Sequence, residues 1–148
     1  MVIDQLPGGE WRMVVGGYEP IPSPPNRFEI VEYRSTDQLA WTYQGVQLAA
    51  AELPSGAQRT IYSPSIVEIV PGLWRMFFTG DDLNLAGGRS RIFSAVSTDR
   101  TQWQFEAELL GAPGTDLYYT ALVGNRLYFL RQDPGQLRRL AAVTLTMP

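Results

Sequence analysis

The chain has 148 residues, 45% hydrophobic and 18% charged, with 15 acidic against 12 basic side chains and a net charge of −3. That suits one globular domain with a real core. Histidine and cysteine are absent, and because all 12 basic residues are arginine there is no lysine either; this excludes His- or Cys-based nucleophile systems, a Schiff base, a phosphate-loop lysine, disulfides and the usual zinc ligands.

Any catalysis must therefore run on Asp, Glu, Tyr, Ser or Arg, and a carboxylate pair is the natural chemistry. No cofactor or metal is expected. The arginines are scattered and the isoelectric point is near 4.9, which gives no footprint for nucleic acid or an anionic membrane. No apolar run approaches a membrane span, and MVIDQLPGGE lacks the basic and apolar regions of a signal peptide. A cytoplasmic location is the expectation.

Residues 2–6 read as a first short strand, stopped by Pro7-Gly8-Gly9. Residues 11–16 form a second, with Trp11, Met13 and Val15 on one face and Arg12 and Val14 on the other. Both faces are partly apolar, which predicts a sheet covered on two sides. A proline-dense loop over residues 18–26 leads to strands at 27–34 and 41–48, and residues 49–56 are too short and too close to Pro54 to be more than a turn. Four further runs follow at 65–70, 74–79, 92–96 and 103–109, and then three at 117–123, 126–130 and 140–145. No segment sustains a helical apolar period.

The first two groups share a plan. Pro7-Gly8, Trp11-Arg12-Met13, Ser35-Thr36-Asp37 and Trp41 return as Pro71-Gly72, Trp74-Arg75-Met76, Ser97-Thr98-Asp99 and Trp103, at a nearly constant offset of 62 to 64 residues. Short turns make neighbouring strands antiparallel. The expected fold is all-β and β-propeller-like: one domain over 1–148 of repeated four-stranded antiparallel meanders, with full blades at about 1–50 and 58–111 and a three-stranded partial blade at about 115–147.

The stretch SPSIVEIVPGLWRMFFTG, followed by a Gly-rich loop, an alternating strand and STDRTQW, resembles a blade of the five-bladed propellers of the arabinanase, levansucrase and invertase type. The resemblance covers most of residues 1–111. It implies a carbohydrate site where the inner strands begin, opposite the Ser-Thr-Asp turns. Those turns are similar to the Asp-boxes of sialidase-like propellers and are expected to be structural. In the resembling hydrolases an inner-strand Asp next to Pro is base or nucleophile, yet Ser63 precedes Pro64 here.

Candidate carboxylates are Asp4, Glu68, Asp82 and Asp116. Candidate sugar-binding residues are Tyr18, Glu19, Arg59, Tyr62, Ser63, Asp81, Asn84, Tyr118 and Tyr119, because aromatic faces stack on sugars while charged groups take the hydroxyls. Against this, acidic loop residues are usually just solvated. Asp81, Asp82 and Asn84 invite a calcium reading, but a turn ahead of Gly87-Gly88 explains them more simply. The expected function is a non-catalytic or degenerate carbohydrate-binding module that completes its ring as a homodimer. The alternatives are a glycoside hydrolase and a structural or protein-interaction module.

Overall fold

The computed structural model describes residues 1–17, 28–53, 59–82, 89–111 and 114–146, with the side chains of Arg59, Asp82 and Arg89 excepted. Three antiparallel sheets follow one another along the chain. The first is β1 (Val2–Gln5), β2 (Trp11–Gly17), β3 (Glu29–Ser35) and β4 (Thr42–Leu48) in that spatial order. The second is β5 (Arg59–Val70), β6 (Leu73–Asp82), β7 (Arg89–Ser97) and β8 (Gln104–Leu110), and the third is β9 (Asp116–Val123), β10 (Arg126–Gln132) and β11 (Arg139–Thr144). The chain is all-β, three successive meanders forming part of a propeller. A 3-10 turn, Ala50–Glu52, follows β4, and among the described residues no helix is long and apolar enough to cross a membrane.

The middle sheet extends past its apolar runs. β5 begins at Arg59, six residues before the strand expected at 65–70, because a bulge carries it past Pro64. Between Tyr62 and Ser65 the register against β6 shifts, and Ser63 takes a φ of +54°. Proline has no N–H for the ladder, and the bulge asks none of it. β9 repeats the device: its register against β10 shifts between Tyr118 and Ala121, and Tyr119 has a φ of +51°.

Each joint between sheets has its own core. Val14, Ile30 and Leu48 of the first sheet pack on Ile61, Met76, Phe78 and Phe93 of the second, and Phe77 and Ile92 on its other face pack on Leu117, Leu127 and Phe129 of the third. Because both faces of the middle sheet are covered, the centre of β6 is apolar on both sides, with Met76 and Phe78 on one face and Phe77 on the other. In β2, by contrast, burial alternates: Arg12 and Val14 are buried, while Trp11, Met13 and Val15 are half-buried. Among the described residues, full cover on both faces is seen in the middle sheet.

A charged cluster closes the first joint at its hairpin end. Arg12, only 1% exposed, donates to both carboxylate oxygens of Asp4 at 3.2 Å and to the carbonyl of Arg100 at 3.2 Å. Arg100 donates to Asp4 at 2.5 Å and lays its guanidinium 3.9 Å from the centre of the Trp74 ring. The charges are thus paired and stacked across two sheets, as burial requires.

Candidate functional site: a cleft at the mouth of the inner strands

Where β5 begins, the three sheets enclose a cleft of about 510 Å³ lined by Met1, Val15, Gly16, Phe28, Thr60, Tyr62, Ser63, Asp81 and Tyr119. Gly16 makes the approach of β2 to β5 possible, since a Cβ there would lie 2.6 Å from the Tyr62 Cα. The backbone also links the two sheets directly, the Ile61 N–H donating to the Phe28 carbonyl at 2.9 Å.

Asp81 is the polar centre. It faces Thr60 on β5 and Ser90 on β7 in the ladder, so the pleat brings all three side chains to one face. Tyr62 donates its phenol to Oδ1 at 3.0 Å, Ser90 donates its hydroxyl to the same oxygen at 2.5 Å, and Thr60 reaches Oδ2 at 3.5 Å. Burial first, and the Asp81 charge second, push the Tyr62 phenol well above its usual range. Tyr62 therefore stays a neutral donor. Its ring meets that of Tyr119 edge-on at 5.8 Å between centroids.

Tyr119 is 51% exposed, an aromatic ring at the cleft on a residue in the left-handed region. A bulky residue at positive φ costs about 1–2 kcal/mol, and here the bulge hydrogen bonds hold it. The neighbouring Thr120 hydroxyl donates to the Ser63 carbonyl at 2.5 Å, and the Ser65 hydroxyl donates to the Thr120 carbonyl at 3.0 Å. The bulges of β5 and β9 are thus tied together.

Of the residues singled out from the sequence, Tyr62, Ser63, Asp81 and Tyr119 line this cleft. Asp116 stands beside it: its Oδ1 accepts the Ser90 N–H at 3.0 Å, so Ser90 bridges Asp81 and Asp116. Tyr118 is covered by Arg138, whose guanidinium lies 4.4 Å from the ring centre, and its phenol is raised by burial and by Asp116. Asp4 and Glu68 sit elsewhere, toward the hairpin end of the inner strands. Asp4 is held by Arg12 and Arg100, and Glu68 accepts the Gly72 N–H at 2.8 Å to close the β5–β6 turn. Arg59 and Asp82 are described as backbone only, opposite each other at the end of the ladder. Tyr18, Glu19 and Asn84 lie outside the described residues, and so does the calcium reading that needs Asn84 and the Asp82 side chain. Among the described residues no three acidic side chains gather to hold a metal.

Thr60, Ser90, Gly16 and Phe28 were not singled out from the sequence. Ser90 was findable, since counting outward from the Gly-rich loop places it opposite Asp81. The others required knowledge of how sheets pack.

The arrangement offers an exposed aromatic face, an ionic acceptor fixed by three hydroxyl donors, and an apolar wall. No protein-family model matches the chain, and no curated protein matches it. Among solved structures it is similar to an exo-β-1,3-galactanase from Clostridium thermocellum, with a TM-score of 0.62 and 17% identity over 86% of this chain. The chain spans 30% of that protein's chain. At this identity the likeness shows the fold alone, an all-β partial propeller.

Proposed function

We propose that this chain is a carbohydrate-binding propeller module whose site is the cleft between Tyr62, Tyr119 and Asp81. The observation that carries the reading is Tyr119, a half-exposed ring kept in unfavourable backbone geometry at the mouth of a cleft that also holds an oriented carboxylate. Exposed aromatics stack on the apolar faces of sugar rings, and a few fixed polar groups orient the hydroxyls. Asp81, already taking three hydroxyl donors, is suited to accepting and orienting rather than to attack.

β-1,3-linked galacto-oligosaccharides are the natural first probe, given the activity named for the structural neighbour. Titration calorimetry should show binding at about 1 mM or tighter, roughly −4 kcal/mol. Tyr119→Asn should abolish it without unfolding the chain, because Asn tolerates positive φ but offers no ring. A chain that binds none of a panel of oligosaccharides at millimolar concentration ends this reading. Ser90, shared by Asp81 and Asp116, favours a second one, a glycoside hydrolase in which those two carboxylates act as a pair. Release of reducing sugar that disappears in Asp116→Asn would establish it in place of the first.

A further inference from the structure

A second ring adjoins Tyr119 at the mouth of the cleft. Tyr118, next to it on β9, has its ring centre 6.3 Å from that of Tyr119 and its plane tilted by 37°. Successive residues of a regular strand send their side chains to opposite faces. Here the bulge at Tyr119, with its φ of +51°, breaks that alternation and brings the two rings together. Their separation is comparable to the advance of one pyranose unit along an oligosaccharide, and the tilt suits a chain that turns between units.

Each ring also has its own carboxylate. Asp81 is held beside Tyr119 through Tyr62, which donates to Asp81 at 3.0 Å and meets the Tyr119 ring edge-on. Asp116 is the anion next to Tyr118: after burial, its charge is what pushes that phenol above its usual range, so Tyr118 stays a neutral donor at the side of the acid. Ser90 joins the two halves, its hydroxyl donating to Asp81 and its N–H to Asp116. An aromatic platform with a fixed acceptor is thus built twice.

The second platform differs from the first in being occupied. The Arg138 guanidinium lies over the Tyr118 ring, 4.4 Å from its centre. Arg138 is exposed and donates to the neutral Gln132 at 3.2 Å. Its neighbours Arg131 and Arg139 share Asp133, whereas Arg138 has no carboxylate within ion-pair reach among the described residues. A cation stacked on a ring at an exposed site is weakly held, so another partner for the ring can take its place. We infer that Tyr118 is a second sugar subsite with Arg138 as its displaceable cover, so that the cleft is built for at least two linked sugar units.

The second subsite rests on the carbohydrate reading of the cleft, and titration calorimetry of the 148-residue chain separates the two. β-1,3-galactobiose should bind about tenfold more tightly than galactose, the contribution of one more aromatic contact. Arg138→Ala should raise the ratio of galactobiose to galactose affinity about two- to fivefold further, because the ring no longer has to be uncovered. Tyr118→Leu, checked for folding by circular dichroism, should bring the disaccharide down to the level of galactose; if it unfolds, Arg138→Ala at its exposed position still decides. Equal affinities of the wild type for the two sugars overturn the second subsite and leave the first standing. An Arg138→Ala ratio that stays unchanged or falls overturns the cover. Binding of neither sugar overturns the second subsite outright, and the wider oligosaccharide panel then decides the carbohydrate reading beneath it.

Discussion

Ser35 and Ser97 occupy the same place in two copies of one turn, yet they should not be equally sensitive to substitution. Each hydroxyl accepts two backbone N–H groups, Asp37 and Gln38 in the first turn and Asp99 and Arg100 in the second. Only the second turn also carries a joint, through Arg100 to Asp4. Ser97→Ala is therefore expected to lower stability by about 1–3 kcal/mol, and Ser35→Ala by less, in urea unfolding. The tryptophans that end these turns differ for the same reason. The Trp41 indole donates to the Gln38 carbonyl at 3.1 Å, whereas the matching Arg100 carbonyl is taken by Arg12 and the buried Trp103 N–H has no partner among the described residues.

The turn carboxylates also set a pH dependence. Backbone N–H groups hold both acids below the usual carboxylate range, those of Ala40 and Leu39 at Asp37 and those of Gln102 and Thr101 at Asp99. A folded-state pKa below the unfolded value near 3.9 means that the stabilisation is complete above that value and is lost as pH falls through the folded one. The urea midpoint should drop steadily below about pH 4, and Asp99→Asn should flatten part of the drop.

At the scale of elements, the approach of β2 to β5 depends on Gly16. A Cβ there would meet Tyr62 Cα at 2.6 Å, Tyr62 Cβ at 2.7 Å and the Ile61 carbonyl at 3.3 Å, and backbone cannot swing aside. Gly16→Ala should cost about 1–3 kcal/mol and distort the cleft. At Gly17 the nearest atom would be the Val31 Cγ2 at 3.4 Å, an ordinary contact, so Gly17→Ala should stay within about 1 kcal/mol of wild type. Denaturant unfolding of the two variants side by side measures the difference. The bulges at Ser63 and Tyr119 belong to this scale too. Pro64 hinted at the first, but nothing in YYTA announces the second, because only the register against β10 shows that one residue is surplus.

For the whole molecule, the joints matter most. Arg12 is buried between the first two sheets, and Arg12→Met would leave Asp4 with Arg100 alone. The expected loss is about 3 kcal/mol in guanidinium unfolding, although Met fills much of the volume. Glu32 lies nearby, ion-paired with Arg34, which also reaches Glu10 at 3.2 Å. The first joint thus combines an apolar centre with a charged end, whereas the second relies on Phe77, Ile92, Leu117 and Phe129 and on the hydroxyls of Ser65 and Thr120.

The sequence by itself determined the repeat, the strand order and the antiparallel pairing. These follow from local facts: apolar alternation, Gly and Pro at turns, and landmarks such as Trp11-Arg12-Met13 returning as Trp74-Arg75-Met76. The tertiary structure alone decided which polar residues meet. Asp4 and Asp81 are both short acids in or beside inner-strand ladders, yet Asp4 is bound by arginines from two sheets while Asp81 opens onto a cleft. Side-chain direction in a strand has a period of two, so one surplus residue in a bulge reverses it. Which residues from different sheets converge depends on how the sheets lie against one another, and that is fixed by side chains tens of residues apart in the chain.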